Sequence, residues 1–312
     1  MLLSRAITMI ESTAPKHFEP AQHIVEGILP HTGNAVRIGI SGVPGVGKST
    51  FIESFGQHLT GLGHKVAVLA IDPRSEKTKG SILGDKTRME QLANDPNAYI
   101  RPSSSGGALG GVAPKTRETL LLCEAAGFDV ILIETVGVGQ SEIQVASMTD
   151  FFLLLMLAGA GDELQGIKRG IMEMADAVVI TKADGENQLR ALHARAEYRR
   201  ALSLLRLEDA AWKTRVMTCS AMTNEGIPQV WQTVREHKET MTKTGRLMQK
   251  RREQASYWFH QILEHELIKR FYSHPSVQGH LPELETAVLN STRNPTAAAR
   301  EILTHYVQQT SH

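Results

Sequence analysis

The sequence has little of what would set it apart from an ordinary intracellular protein. It holds only two cysteines, Cys123 and Cys219, far apart and in no C-x-x-C or Cys/His ligand spacing. That argues against a disulfide framework or a zinc site, and fits two thiols in a reducing cytosol. Net charge is also lacking: 34 Lys and Arg oppose 33 Asp and Glu, a formal +1. Nothing global therefore draws the chain to nucleic acid or to an anionic membrane, and any bound anion must be met locally. The longest apolar run, FFLLLMLAGA from Phe151 to Ala160, falls short of the roughly 20 residues that span a bilayer. The N-terminal MLLSRAITMIES is broken by Arg5 and Glu11, unlike a secretory signal. No repeat, low-complexity tract or Gly/Ser linker stands out. A cytoplasmic protein is expected.

What is present is 312 residues with 41% hydrophobic content, enough for a sizeable core. Short apolar, β-branched runs predict strands at 36–40, 65–71, 98–100, 129–133, 151–157, 177–180 and 215–218. Amphipathic helix-length segments lie between most of them, at 50–62, 114–126, 163–174, 187–205 and 226–242. Such alternation predicts an α/β fold with a mostly parallel sheet covered by helices on both faces. Three regions are expected: N-terminal helices over 1–32, a sheet domain over 33–242, and a helical tail over 243–312. The charged stretch KTGRLMQKRRE (243–253) opens that tail and reads as a solvated helix face.

The strongest motif is GVPGVGKST, Gly42 to Thr50, which follows the first strand and opens a helix. It fits G-x-x-x-x-G-K-[ST], a loop whose backbone N–H groups wrap phosphate oxygens at a helix N-terminus. Gly42, Val43, Pro44, Gly45, Val46 and Gly47 would form the cradle and Thr50 its exit. Lys48 would neutralise the β/γ-phosphates, and Ser49 would give a hydroxyl to Mg²⁺. The motif implies a bound nucleoside triphosphate.

The base is argued from TKAD, 181–184, which resembles the N/T-K-x-D element of GTPases. There Asp184 would accept hydrogen bonds from the guanine ring N–H and amine, a pair adenine does not offer, with Lys182 beside it. Sites built on such bonds discriminate by on the order of 10⁴. One strand later, Ser220, Ala221 and Met222 resemble the SA element whose backbone N–H groups meet guanine O6. GTP and GDP are the expected ligands. The stretch ETVGVGQSE (134–142) then fits an acidic-x-x-Gly switch at the end of an apolar strand. Glu134 would hold Mg²⁺, through water, and Gly137 would offer its N–H to the γ-phosphate. Lys48, Glu134 and Gly137 are the candidate catalytic groups. Val138 stands where many GTPases keep a water-orienting glutamine, with Gln140 two residues later, so slow turnover alone and stimulation by a partner are expected.

Together GVPGVGKST, DP at 72–73, SILGDKTRM at 81–89, GGALGG, ETVGVGQSE and LQGIKRG resemble the MeaB/ArgK family, over about residues 5 to 310. That resemblance implies a GTPase chaperone of adenosylcobalamin-dependent acyl-CoA mutases, notably methylmalonyl-CoA mutase, gating cofactor loading and protecting the holoenzyme. It also implies a C-terminal helical extension that forms a homodimer. Asp72 and Asp85 become further acidic groups around Mg²⁺, either of them the nearer. The loop 158–170, with Asp162, Glu163, Lys168 and Arg169, becomes a third switch. Three departures stand out: Thr181 replaces the usual asparagine, Arg74 interrupts DPSS, and the N-terminal helical segment is short. The alternatives weighed are a metallochaperone GTPase, which would want a Cys/His cluster, and a small-substrate kinase, which would prefer ATP.

Overall fold

A computed structural model describes residues 2–12, 14–71, 89–102, 112–135, 141–159, 169–204 and 211–310. Among them seven strands form one parallel sheet: β1 Val36–Gly42, β2 Val66–Ile71, β3 Ala98–Pro102, β4 Val130–Thr135, β5 Phe151–Met156, β6 Ala177–Ile180 and β7 Arg215–Thr218. Their order is β3-β2-β4-β1-β5-β6-β7, and every pairing is parallel. Every residue of β4, β5 and β6 is buried. This is why they appear in the sequence as unbroken apolar runs: helices cover both faces, and no position is left for a solvent-facing polar residue.

The helices are α1 Leu2–Glu11, α2 Phe18–Ile28, α3 Lys48–Gly61, α4 Glu90–Ala93, α5 Val112–Ala125, α6 Ser141–Ala146, α7 Arg169–Met174, α8 Gln188–Leu204, α9 Ile227–Lys243, α10 Arg246–Ser273, α11 Pro275–Leu289 and α12 Pro295–Thr310. Helix α3 packs Phe51, Ile52, Phe55 and Leu59 into the main core, where Phe51 and Phe55 stack at 5.4 Å and Phe55 meets the edge of Trp231 from α9. Both thiols are buried and pushed up to about 12, Cys123 by burial and then by Glu124, Cys219 by burial. Among the described residues no helix is long and apolar enough to cross a membrane.

The chain divides into two compact units, Met1–Ala255 and Ser256–His312. The second holds a helical hairpin of α11 and α12 around Val277, Leu284, Ala298 and Ile302, with Phe271 and Tyr306 packed against them. In the first, the root of α10 departs from the expected solvated face. Arg251 forks onto Asp150 (Nε to Oδ1 2.8 Å, Nη2 to Oδ2 2.7 Å) and also donates to the Ala35 and Gly33 carbonyls. Lys250 reaches the Asp150 carbonyl at 2.8 Å, and Gln254 donates to the Thr149 carbonyl at 2.8 Å. Arg37 in turn forks onto Glu124 of α5. The charged run hid this because a sequence does not show which turn of a helix meets a buried carboxylate.

Candidate active site

In a sheet with this order, β1 is flanked by β4 and β5 while the chain leaves it for β2, so a crevice opens at the carboxyl ends of the strands. The predicted site residues that lie among the described ones gather there. β1 ends at Gly42, residues 43–47 turn, and α3 begins at Lys48. Gly47 caps α3 at φ 91°, a left-handed conformation that a side chain would strain. Val46 is fully buried, whereas Pro44, Gly45 and Thr50 are exposed.

Lys48 Nζ donates to the Gly42 carbonyl at 2.8 Å. Burial lowers its pKa, and the charges of Glu134 and Glu142 oppose that shift. Glu134 is 5% exposed. The strand does not end before it, as the sequence suggested: β4 runs on to Thr135, and Glu134 pairs with Ile40 of β1 and Ala70 of β2. A carboxylate in the middle of a sheet is thereby fixed by two neighbouring strands. Ser49 Oγ donates to Glu134 Oε1 at 3.5 Å. A hydroxyl and a carboxylate converging at a helix N-terminus form a hard-oxygen donor set that suits Mg²⁺. Asp72, Asp85, Gly137, Val138, Gln140 and Lys168 lie outside the described residues, as do Asp162 and Glu163.

The second half of the site follows β6 and β7. Thr181 Oγ1 donates to the Val46 carbonyl at 2.7 Å, and Lys182 Nζ to the Gly45 carbonyl at 2.9 Å. The loop after β6 is thus stitched to the phosphate loop, and a threonine hydroxyl suffices for one of the stitches. Asp184 Oδ2 accepts a short hydrogen bond from Ser220 Oγ, itself fully buried. Ser220 Oγ also accepts from the N–H groups of Met222 and Thr223, each at 3.2 Å, while the Ser220 N–H donates to the Glu225 carbonyl at 2.9 Å. Of the three N–H groups expected to face a base, two are therefore used inside the loop. Among the described residues the Ala221 N–H meets no protein acceptor. The Met222 side chain is 80% exposed.

A family model for the methylmalonyl-CoA mutase-associated GTPase MeaB matches residues 3–276. The chain belongs to the MeaB family. Its sequence is 45% identical to GTPase ArgK of Escherichia coli over 98% of this chain and 92% of that one. It is 47% identical to the mitochondrial methylmalonic aciduria type A homolog of Mus musculus, over 96% of this chain and 75% of that one. The crystal structure of an LAO/AO transport system kinase superimposes with a TM-score of 0.77 at 38% identity, covering 98% of this chain and 92% of that one.

Within this MeaB-family GTPase, two features of the site escaped sequence reasoning. Glu142, on α6, is 2% exposed and adds a second buried carboxylate to the surroundings of Lys48. Its place at the end of ETVGVGQSE was visible, but a glutamate in the first turn of a helix is ordinarily a solvated one. Thr135, fully buried, donates to Ser41 Oγ at 3.0 Å and ties β4 to β1 beneath the phosphate loop. Among the described residues no group of three or more His, Cys, Asp or Glu converges as metal ligands would.

Proposed function

We propose that this MeaB-family GTPase binds GTP with Mg²⁺ in the crevice above β1, hydrolyses it slowly alone, and is accelerated by an adenosylcobalamin-dependent mutase of the methylmalonyl-CoA type. In this reading the hydrolysis cycle gates cofactor loading and protects the holoenzyme. The observation that carries the reading is the joining of two half-sites: Lys48, Ser49 and Glu134 on one side, Asp184 and Ser220 on the other, stitched by Thr181 and Lys182 to the phosphate loop.

Chemically, hydrolysis is phosphoryl transfer to water, so the protein positions groups and stabilises charge. Lys48 exchanges the Gly42 carbonyl for phosphate oxygens, a stronger, charge-assisted partner. Ser49 and Glu134, with Asp72 or Asp85, would hold Mg²⁺, which supplies positive charge to the β- and γ-phosphates. Asp184, held by Ser220, accepts the two guanine N–H donors, and the Ala221 N–H meets O6. Gly137 offers its N–H to the γ-phosphate, and Val138 in place of a glutamine leaves the attacking water without a side-chain orienter. The loop 158–170, which follows β5 in the sequence, would act as a third switch that reports the nucleotide to the partner.

A second copy of the chain completes the assembly. Phe259, Leu263 and Leu267 recur every four residues on the part of α10 that belongs to the second unit, and all are exposed. Such a stripe is best covered by its own twin, forming a homodimer. Two buried thiols fit a reducing compartment, so we assign the chain to the cytoplasm.

The test is GTP hydrolysis by the purified full chain, alone and with holo methylmalonyl-CoA mutase. Slow turnover alone, a rise of orders of magnitude with the mutase, and a preference for GTP over ATP of about 10⁴ support the reading. Rapid turnover alone, or indifference to the mutase, would overturn it.

A further inference from the structure

The loop that carries Ser220 is fastened at a point outside the guanine-reading residues. Ser54, on α3, is 6% exposed, and its Oγ donates to Asn224 Oδ1 at 2.5 Å. These residues are 170 positions apart in the chain. Ser54 lies six residues beyond Lys48 on the same helix, about 9 Å along its axis. The helix whose first turn serves the phosphates therefore also grips the loop that serves the base.

The loop is shaped for that grip. Asn224 sits at φ 60°, a left-handed conformation that asparagine adopts more readily than most residues. Two residues on, Gly226 has φ 82°, and a Cβ there would stand 2.3 Å from the Thr218 carbonyl oxygen, so the chain is pressed against the end of β7. The Ser220 N–H to Glu225 carbonyl bond closes the arc, and the Cys219 N–H donates to the Ile180 carbonyl at 2.9 Å. With β7 on one side and Ser54 on the other, the arc has one place in which to sit. Ser220 Oγ, inside the arc, then sets the direction of the Asp184 carboxylate.

We infer that Ser54 and Asn224 form a clamp that fixes the span between the phosphate loop and the guanine loop, making both of them positioning residues for base selection. The inference rests on reading Asp184 and Ser220 as the guanine contacts. A nucleotide must satisfy both loops at once. If the span is loose, Asp184 no longer catches both the ring N–H and the exocyclic amine of guanine. Inosine triphosphate, which lacks that amine, is the probe: it keeps the phosphates and the ring N–H and loses one donor.

The experiment measures equilibrium binding of GTP and ITP, together with kcat and KM for GTP, in the full chain. Ser54→Ala is expected to weaken GTP binding by about 3- to 10-fold, the worth of one hydrogen bond. It should raise KM in step, change kcat by less than about twofold, and lower the preference for GTP over ITP, because only transition-state-specific contacts alter kcat. Ser54→Thr, which keeps the hydroxyl, should restore both affinity and preference. Asn224→Gly, which tolerates the left-handed backbone but loses the acceptor, should reproduce Ser54→Ala, and the double variant should add nothing further. Asn224→Gly also serves if Ser54→Ala folds poorly. A lowered melting temperature with unchanged GTP affinity and GTP/ITP preference would show a merely structural bond and overturn the clamp. Asp184→Asn separates the underlying reading: it should shift the preference from GTP toward xanthosine triphosphate. Failure of that shift refutes the guanine assignment, whereas a shift beside an inert Ser54→Ala refutes the clamp alone.

Discussion

The two ends of the sheet both bury charge, and they do so in opposite ways. At the amino ends of β1, β5 and β6, each of three acids faces an arginine or lysine that answers it. Buried Asp150 takes the Arg251 fork, buried Glu124 takes the Arg37 fork, and half-buried Asp176 has Lys250 at 3.7 Å, with the His237 ring beside it at 3.4 Å. At the carboxyl ends, Lys48 spends its ammonium on a backbone carbonyl while Glu134 and Glu142 influence it through space. Burial pushes Asp150 up, but Arg251's bonds and charge, with Arg37, outweigh it and hold the carboxyl below the usual range. Burial of Lys48 is only partly offset, and its pKa stays lowered. Charge answered by charge belongs to the scaffold; charge held by weaker partners marks the end that exchanges them for a ligand.

The largest effect that would break this contrast is at the base. Arg251→Ala removes the fork from buried Asp150 and leaves it only the Arg37 N–H and the Arg37 charge, so it should lower unfolding stability by about 3–5 kcal/mol, read by chemical denaturation, without altering the GTP affinity of the folded chain. At the other end, Lys48→Ala should reduce GTP turnover (kcat/KM) by about 10²–10³-fold, as loss of a charge-stabilising donor does, with the melting temperature of the free protein little changed.

A smaller effect sharpens the account of the stitched half-sites. Thr181→Val keeps the side-chain shape and removes the hydroxyl that meets the Val46 carbonyl, and titration calorimetry should show GTP bound about 3- to 10-fold more weakly. Thr181→Asn should bind as tightly as the parent, since either side chain supplies a donor.

The smallest effect lies in acid. Asp150 is held below its unfolded value, so the unfolded chain takes up its proton first as pH falls. Its contribution is complete above the ordinary aspartate value of about 4 and is lost as pH falls through the native value. Denaturation followed between about pH 5 and 2 should therefore be less steep in Asp150→Asn, which carries no titrating group there.

The same contrast explains how much the sequence disclosed. The strands were legible because a parallel sheet covered on both faces needs unbroken apolar runs. All seven fall where DVILI, FFLLLML and their counterparts predict, two with both edges matched and the rest shifted by at most two residues. The MeaB resemblance was legible because GVPGVGKST, SILGDKTRM and ETVGVGQSE are local motifs that a sequence displays directly. What escaped is what the chain assembles across long separations. Asp150 and Arg251 lie 101 residues apart, Ser54 and Asn224 170 apart, and no period or motif links them. Glu134 was read as standing just past a strand because a carboxylate ordinarily ends one; it lies inside β4 because the ladder goes on pairing it with Ile40 of β1 and Ala70 of β2.

The most direct test of the contrast is thermal melting of Arg251→Ala and Lys48→Ala side by side, with and without saturating GTP and Mg²⁺. A ligand that binds only the native state raises its melting temperature, by an amount set by affinity. Arg251→Ala should start lower than the parent and gain the full nucleotide-dependent rise, while Lys48→Ala should start near the parent and gain almost none. An Arg251→Ala protein that no longer responds to GTP, or a Lys48→Ala protein that responds in full, would contradict the division of labour between the two ends of the sheet.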